Sequence, residues 1–181
     1  LILSFSKLLN QKAIHKPSAQ HVLDDDYYKR IEAIQFTMSH DDGKKVDDIN
    51  EADVVLLGVS RTSKTPTSIY LANRGYKTVN IPLVLDQKIP QDLKTNKKSC
   101  IIGLIADPER LSDIRRNRVA IMKDQSLKEY TDLDFIKREV EDSKNLFKKN
   151  NWPIIDVTRR SVEETAASIL KIIEIKKNKW K

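Results

Sequence analysis

Two residues with phosphate chemistry stand side by side in this chain, Lys64 and Thr65, at the end of a polar stretch. The apolar run DVVLL (residues 53–57) leads into GVSRTSKT (residues 58–65), which nearly spells the phosphate-binding loop G-x-x-x-x-G-K-[ST]. Such a lysine meets phosphates as a point charge, and such a hydroxyl ligates Mg²⁺. Ser63 replaces the second glycine, where a positive φ is often needed. A polar strand–turn–helix connection without a ligand is the alternative interpretation.

An acidic turn precedes this stretch. The letters SHDDG (residues 39–43) offer Asp41 and Asp42 beside a glycine. A carboxylate here could accept the proton of an attacking hydroxyl or hold Mg²⁺, and we favour Asp41 over Asp42. His40 is a further candidate base. Asp-Asp-Gly is also a common composition for an ordinary turn, and that interpretation stays open.

Arginines concentrate in the later segment ERLSDIRRNRVAIM, which has the composition of a helix. Arg115 and Arg118 are three residues apart, so on a helix they share a face. Two guanidinium groups on one face could bind inorganic phosphate or a phosphothreonine with paired hydrogen bonds. The alternative is a basic face exposed to solvent.

Apolar runs and helical patterns alternate from Asp53 onward. We expect strands in residues 53–57, 77–84, 99–105 and 152–158, with helices around 25–34, from Pro66 to near Gly75, across 109–122, after Tyr130 and after Ser161. The pairs Thr131/Asp134 and Ser161/Glu164 resemble capping boxes at the start of the last two helices. This alternation predicts an α/β fold with a mostly parallel sheet and flanking helices.

Composition excludes several other classes of protein. The apolar runs fall short of the roughly 18 residues that a membrane span needs, so we expect no membrane insertion. The single cysteine cannot form an intramolecular disulfide, which suits a cytoplasmic protein. A net charge of +7 permits attraction to phosphates, but it does not establish a nucleic-acid partner, and we expect none.

Four longer segments of the sequence resemble a known family. The segment ADVVLLGVSRTSKTPTSIYLANRGYKTVNIPLV is similar to the regulatory proteins of pyruvate, phosphate dikinase and of phosphoenolpyruvate synthase. The segments YYKRIEAIQFTMSHDDG, IIGLIADPERLSDIRRNR and IDVTRRSVEETAASI match the same pattern in order. The resemblance covers nearly the whole chain from about Tyr27.

This resemblance implies a bifunctional serine/threonine kinase and phosphorylase. ADP would donate a phosphoryl group to an active-site threonine of the target enzyme and inactivate it, and inorganic phosphate would remove that group as pyrophosphate. The nucleotide would lie on Gly58, Val59, Ser60, Arg61, Thr62, Ser63, Lys64 and Thr65. Lys64 and the loop amides would hold the diphosphate, Thr65 or Ser60 would meet Mg²⁺, and Asp41, Asp42 and Lys64 would be catalytic.

In that family the residue before the lysine is glycine or serine, so Ser63 fits its pattern. Family members are longer at the N-terminus, where a segment of the type SDSTGETA stands. We therefore expect residues 1–50 to be the remainder of a truncated N-terminal region, and residues 51–181 to form a P-loop-like α/β kinase domain.

Two other functions stay open. One is a P-loop kinase that phosphorylates a small metabolite. The other is a regulatory module that binds a nucleotide without catalysis. The sequence does not choose between the two target enzymes, and it does not fix the oligomeric state, for which a homodimer is one candidate.

Overall fold

The computed structural model describes residues 7, 8, 10, 25–43, 48–84, 89, 90, 92–96, 98–122 and 128–178. Most of the first half of the expected N-terminal segment thus lies outside the described residues. The elements are, in chain order, α1 (Asp25–Ser39), β1 (Val54–Gly58), α2 (Lys64–Ala72), β2 (Thr78–Pro82), α3 (Asp92–Thr95), β3 (Cys100–Ile105), α4 (Pro108–Met122), α5 (Lys128–Thr131), α6 (Leu133–Lys149), β4 (Ile154–Asp156) and α7 (Val162–Asn178). Short 3₁₀ turns at Asp41–Gly43 and Ile49–Glu51 lie between α1 and β1.

The four strands of the described residues form one parallel sheet in the order β2-β1-β3-β4, which confirms the predicted α/β fold class. Strand β1 is central and all five of its residues are buried. The chain leaves β1 toward β2 on one side and later returns to β3 on the other. Open α/β sheets bind ligands beyond the carboxyl ends of the strands at such a switch point.

Both faces of the sheet are covered by helices, which explains why the strands are apolar without alternation. On one face, Leu56 and Ile102 pack in a cluster that includes Ile169 of α7. On the other face, Val55 and Leu57 pack in a cluster that includes Phe147 of α6. The sheet is therefore a rigid support for the loops at its carboxyl edge.

Helix α1 closes the open side of β2. The Thr37 hydroxyl accepts a hydrogen bond of 3.0 Å from the Thr78 amide, and Lys77 pairs with Glu32 at 2.6 Å. The helix extends to Ser39, five residues beyond the predicted end near residue 34, and Thr37 in this added part is buried against β2. It thereby brings the acidic turn to the edge of the sheet.

Two predicted helix starts differ from the structure and one is confirmed. Helix α2 begins at Lys64, so Pro66 is not its first residue. Helix α6 is capped by Asp132, whose carboxylate accepts from the Phe135 amide at 2.8 Å, rather than by Thr131. The predicted capping box at α7 is present, with the Ser161 amide donating to Glu164 at 2.8 Å and the Glu164 amide donating to Ser161 at 3.1 Å.

Gly103 in β3 has no room for a side chain. The ring of Phe147 packs directly on Gly103 in β3, so a Cβ there would overlap the ring. We expect Gly103→Ala to lower the free energy of unfolding by about 1–3 kcal/mol, the usual range for overpacking. In a Phe147→Leu background, Gly103→Ala should cost less free energy of unfolding than it does in the wild-type background. Urea denaturation measures both, and an unchanged midpoint for Gly103→Ala would contradict the contact.

Candidate active site

The loop of residues 59–63 joins the carboxyl end of β1 to the N-terminus of α2. Gly58 starts it under a steric constraint, because a Cβ at this residue would lie 2.5 Å from the Leu104 carbonyl oxygen and 2.8 Å from the Thr62 hydroxyl. The glycine lets β1 and the loop approach β3 closely. The loop amides and the helix N-terminus then stand at the switch point, the arrangement in which helix N-termini attract anions.

Two loop residues adopt left-handed backbone conformations without being glycine. Arg61 has φ 72° and Ser63 has φ 57°. The position where the loop pattern expects glycine thus has a positive φ, and serine adopts it. Such residues cost about 1–3 kcal/mol each and persist where the surroundings determine the conformation. Strain of this kind is typical of functional loops.

Lys64 is the first residue of α2 and is only 6% exposed. Its ammonium group donates to the Val59 carbonyl oxygen at 2.9 Å. Burial lowers the pKa of Lys64 to about 8, an effect that nearby Arg115 and Arg61 reinforce and that the carboxylates of Asp42 and Asp41 oppose. A cation is therefore held inside the loop with little solvation of its own.

The acidic turn packs against the loop and β2. The Asp41 carboxylate accepts hydrogen bonds from the Thr65 hydroxyl at 3.1 Å and from the Asn80 amide at 2.6 Å. Asp42 has φ 52° and lines the cleft beside the loop. The two aspartates thus have different surroundings: Asp41 is held by neighbours, while Asp42 borders open space.

His40 lies inside the fold rather than in the cleft. It is 3% exposed, its ring stacks on Phe36 at 4.0 Å, and its Nδ1 lies 2.8 Å from the Phe36 carbonyl oxygen. These contacts give His40 a structural role at the end of α1.

A cleft of about 410 Å³ opens over the loop, between the acidic turn and α4. The volume suits a small anion or the phosphate end of a larger ligand. Its walls combine one buried and one exposed cationic side chain, three hydroxyl groups and one carboxylate with apolar side chains. The lining residues are Asp42, Ser60, Arg61, Ser63, Lys64, Thr65, Pro66, Pro82 and Ile114. Five of the eight residues predicted to hold the nucleotide, 60, 61 and 63–65, line this cleft, while Gly58, Val59 and Thr62 are buried and do not line it.

Arg115 and Arg118 have different environments. Arg115 is fully buried and its guanidinium group donates to Glu139 at 2.7 Å and to the Ser60 carbonyl oxygen at 3.3 Å. Arg118 is exposed on α4. The three-residue spacing therefore does not bring the two groups into one pair. Arg115 stabilises the loop through its hydrogen bond to the Ser60 carbonyl oxygen. Phosphate binding by Arg118 stays a prediction.

Arg110, another residue of the arginine-rich helix, borders a second cleft of about 720 Å³ at the ends of β3 and β4. This cleft holds three arginines and three carboxylates, with one threonine: Asp107, Glu109, Arg110, Asp156, Thr158, Arg159 and Arg160. Its charges balance, so the cleft has no evident preference for an anion.

Three residues of the site were missed from the sequence. Asn80 contacts the acidic turn, Glu139 pairs with Arg115, and the Tyr130 hydroxyl lies 3.0 Å from Ser60 Oγ and accepts from Arg61 Nε at 3.3 Å. A polar residue inside the apolar strand KTVNIPLV was a usable signal for Asn80. Glu139 stands between Ile136 and Val140 on the apolar side of α6, which was a weaker signal.

Oxygen donors suited to Mg²⁺ meet at the loop. The Thr65 hydroxyl and the Asp41 carboxylate lie 3.1 Å apart. Mg²⁺ is usually held by one or two carboxylates or hydroxyls together with water and substrate phosphates. Among the described residues no group of three or more His, Cys, Asp or Glu could hold a metal ion, and Mg²⁺ at this site stays a prediction.

The left-handed backbone of Ser63 can be tested by substitution. Replacing Ser63 by glycine removes a left-handed strain of about 1–2 kcal/mol, and the entropy of glycine offsets about 0.5–1 kcal/mol of that. We expect Ser63→Gly to raise the free energy of unfolding by up to about 1 kcal/mol. Ser63→Ala is the matched control, because it keeps the Cβ and Ser63 makes no capping hydrogen bond to lose. A loss of stability in Ser63→Gly would contradict the strain.

The chain is similar in sequence to curated proteins that share one name. The chain is 63% identical over 179 residues to a protein of Pelagibacter ubique (strain HTCC1062) that carries the provisional name pyruvate, phosphate dikinase regulatory protein. Proteins with the same name in Erythrobacter litoralis and Sinorhizobium fredii are 52% identical over 164 residues and 54% identical over 168 residues. These matches cover 98%, 91% and 92% of this chain.

The chain spans less than two thirds of each relative: 65%, 59% and 61% of their lengths, in the same order. No helix of the described residues has the length and apolar character to cross a membrane.

A sequence profile described as kinase/pyrophosphorylase matches residues 1–170. The chain belongs to the kinase/pyrophosphorylase family.

Proposed function

We propose that this chain transfers a phosphoryl group from ADP to a threonine of pyruvate, phosphate dikinase, and removes it again with inorganic phosphate. The observation that carries the proposal is the buried ammonium group of Lys64 in a strained loop at a helix N-terminus, beside two aspartates. The family description and the names of the relatives support a phosphotransferase that regulates this dikinase. Phosphoenolpyruvate synthase is the second candidate target.

In the kinase direction, the threonine oxygen attacks the β-phosphorus of ADP. The bond from that phosphorus to the bridging oxygen breaks, AMP leaves, and the threonine loses its proton. Charge accumulates on the transferred group and on the leaving oxygens, so neutralisation and alignment are what the protein must supply. Lys64 and the loop amides suit the first task, and Mg²⁺ bound at Thr65 and Asp41 would neutralise further charge.

In the reverse direction, an oxygen of inorganic phosphate attacks the phosphorus of phosphothreonine. Pyrophosphate forms and the threonine hydroxyl regains a proton. The nucleophile in this direction is a phosphate oxygen, as it would be if AMP reversed the kinase reaction. The same loop can therefore hold the attacking phosphate, and a separate anion site on Arg115 is not needed, since its guanidinium group is paired with Glu139.

We assign different roles to the two aspartates. Asp42 borders the cleft, so it is the better candidate for accepting the threonine proton. Asp41 is bound to Thr65, so it suits the orientation of that hydroxyl and of Mg²⁺. This division reverses the preference for Asp41 as the base that the sequence alone suggested.

A phosphosite assay tests the proposed function. The chain is incubated with each target enzyme, ADP and Mg²⁺, and mass spectrometry locates any phosphothreonine; inorganic phosphate is then added and pyrophosphate is measured. We expect Lys64→Ala to abolish both reactions because the main phosphate-binding cation is lost. Lys171→Ala, which removes an exposed lysine on α7, is the matched control and should retain both.

Two results would contradict this function. ADP binding without transfer to either target supports the regulatory module instead. Transfer to a small molecule in place of the protein supports the metabolite kinase.

The aspartates generate a further prediction. Asp42→Asn should lower the transfer rate by roughly 10²–10⁴, the usual contribution of a general base, and leave the Mg²⁺ dependence unchanged. Asp41→Asn should instead raise the Mg²⁺ concentration needed for half-maximal rate. Transfer rates measured over a Mg²⁺ titration distinguish these effects. The reverse pattern would return the role of base to Asp41.

A further inference from the structure

We propose that Asn80 is a positioning residue of this site, which fixes the Asp41 carboxylate and the Thr65 hydroxyl relative to each other. The inference rests on the proposed function, because it assigns Asn80 an effect on phosphoryl transfer. Its evidence is geometric and lies in strand β2, outside the loop and the acidic turn.

Asn80 stands in the middle of β2, next to Leu56 of the central strand, and is 1% exposed. Its side-chain amide donates to Asp41 Oδ1 at 2.6 Å and to Thr65 Oγ1 at 3.0 Å. The Thr65 hydroxyl in turn donates to Asp41 Oδ1 at 3.1 Å. The three groups thus form a closed triangle of hydrogen bonds between three separate segments of the chain.

The backbone of Asn80 holds the same turn. Its amide donates to the His40 carbonyl oxygen at 3.3 Å, one residue before Asp41. Asn80 therefore fixes the acidic turn at two points, one on the main chain and one on the carboxylate. The sheet supplies the rigidity, since β2 pairs with β1 along its whole length.

The orientation of the carboxamide is determined by its neighbours. With nitrogen and oxygen exchanged, the amide oxygen would face the Asp41 carboxylate, and two acceptors would meet at 2.6 Å. Only the observed orientation gives a donor to both partners. The consequence is that Asn80 Oδ1 is buried without a hydrogen-bond partner among the described residues.

The polar side chain of Asn80 in a buried strand argues for a role beyond packing. Asparagine is disfavoured in strands, and buried polar atoms in native proteins nearly always have a partner. Local conflicts of this kind are typical of functional sites, where one group is held for the chemistry.

The test is a double-mutant cycle on the transfer rate of the whole chain, with Asn80→Ala, Asp41→Ala and the combined variant. Asn80→Ala should lower kcat by about 10- to 100-fold, as is usual for residues that orient ligands of a metal or substrate. In the Asp41→Ala background the same change should cost no more than about twofold, because the carboxylate that Asn80 orients is gone. The dissociation constant of ADP, measured by calorimetry without Mg²⁺, should change less than about twofold.

Two variants separate hydrogen bonding from packing. Asn80→Asp keeps the shape but has no amide donor, so it should lose as much activity as Asn80→Ala. Asn73→Ala is the matched control: it removes an exposed asparagine whose amide donates to the Ile69 carbonyl oxygen at the end of α2, and it should keep normal kcat. Thermal unfolding confirms that each variant is folded at the assay temperature.

Each outcome has a definite meaning. Equal losses with and without Asp41 overturn the inference, because they indicate a general structural defect. Retained activity in Asn80→Asp also overturns it, because packing would then suffice. A wild-type chain that transfers no phosphoryl group overturns the proposed function and this inference together, whereas an active wild type with additive losses overturns this inference alone.

Discussion

The buried charge of Lys64 is the constraint on which the rest of the site depends. An ammonium group removed from water loses solvation, and at the first residue of α2 it also meets the positive end of the helix dipole. Arg61 and Arg115 add further positive charge nearby. Within the protein, the compensation comes from the Val59 carbonyl oxygen and from the two aspartates. The ammonium group is thus poorly solvated at a helix N-terminus, where a bound anion would give it further compensation.

Keeping the loop in this state requires support from outside it. Arg115 donates to the Ser60 carbonyl oxygen, and its own charge is balanced by Glu139 at 2.7 Å. The guanidinium group also lies 4.7 Å from the centre of the Tyr130 ring, and the Tyr130 hydroxyl contacts Ser60. Helices α4 and α6 thus stabilise one side of the loop. Asn80 and the acidic turn stabilise the other side, so the strained backbone at Arg61 and Ser63 is held between two fixed surfaces.

Local signals predicted several elements correctly, although the local signals at Pro66 and Thr131 misplaced two helix starts. The run of apolar residues before Gly58 predicted β1, and the pair Ser161/Glu164 predicted the start of α7, because each depends on neighbours in the chain. The strand, turn and helix around the loop were predicted from the local sequence, while a nucleotide on the loop stays a prediction. The unexpected serine at position 63 was correctly identified as the place for a positive φ.

Features that depend on tertiary contacts were not predictable in the same way. Spacing on a helix shows that Arg115 and Arg118 are neighbours, but the burial of one and exposure of the other depend on where α6 packs. The length of α1 depends on its contacts with β2, and the triangle around Asn80 joins residues 24 and 39 positions apart. These features depend on which distant segments pack together, and that information is not present in the local pattern of a single sequence.

The proposed function depends above all on binding of the ADP phosphates by Lys64, whose pKa is lowered to about 8. Phosphates favour the charged form of the amine, so binding at pH 8 should draw up to about half a proton from solution. Calorimetry in two buffers with different ionisation enthalpies measures this uptake, and Lys64→Met provides the baseline for all other groups. We expect the wild-type chain to take up more protons near pH 8 than Lys64→Met does. Equal proton exchange by both proteins would contradict it.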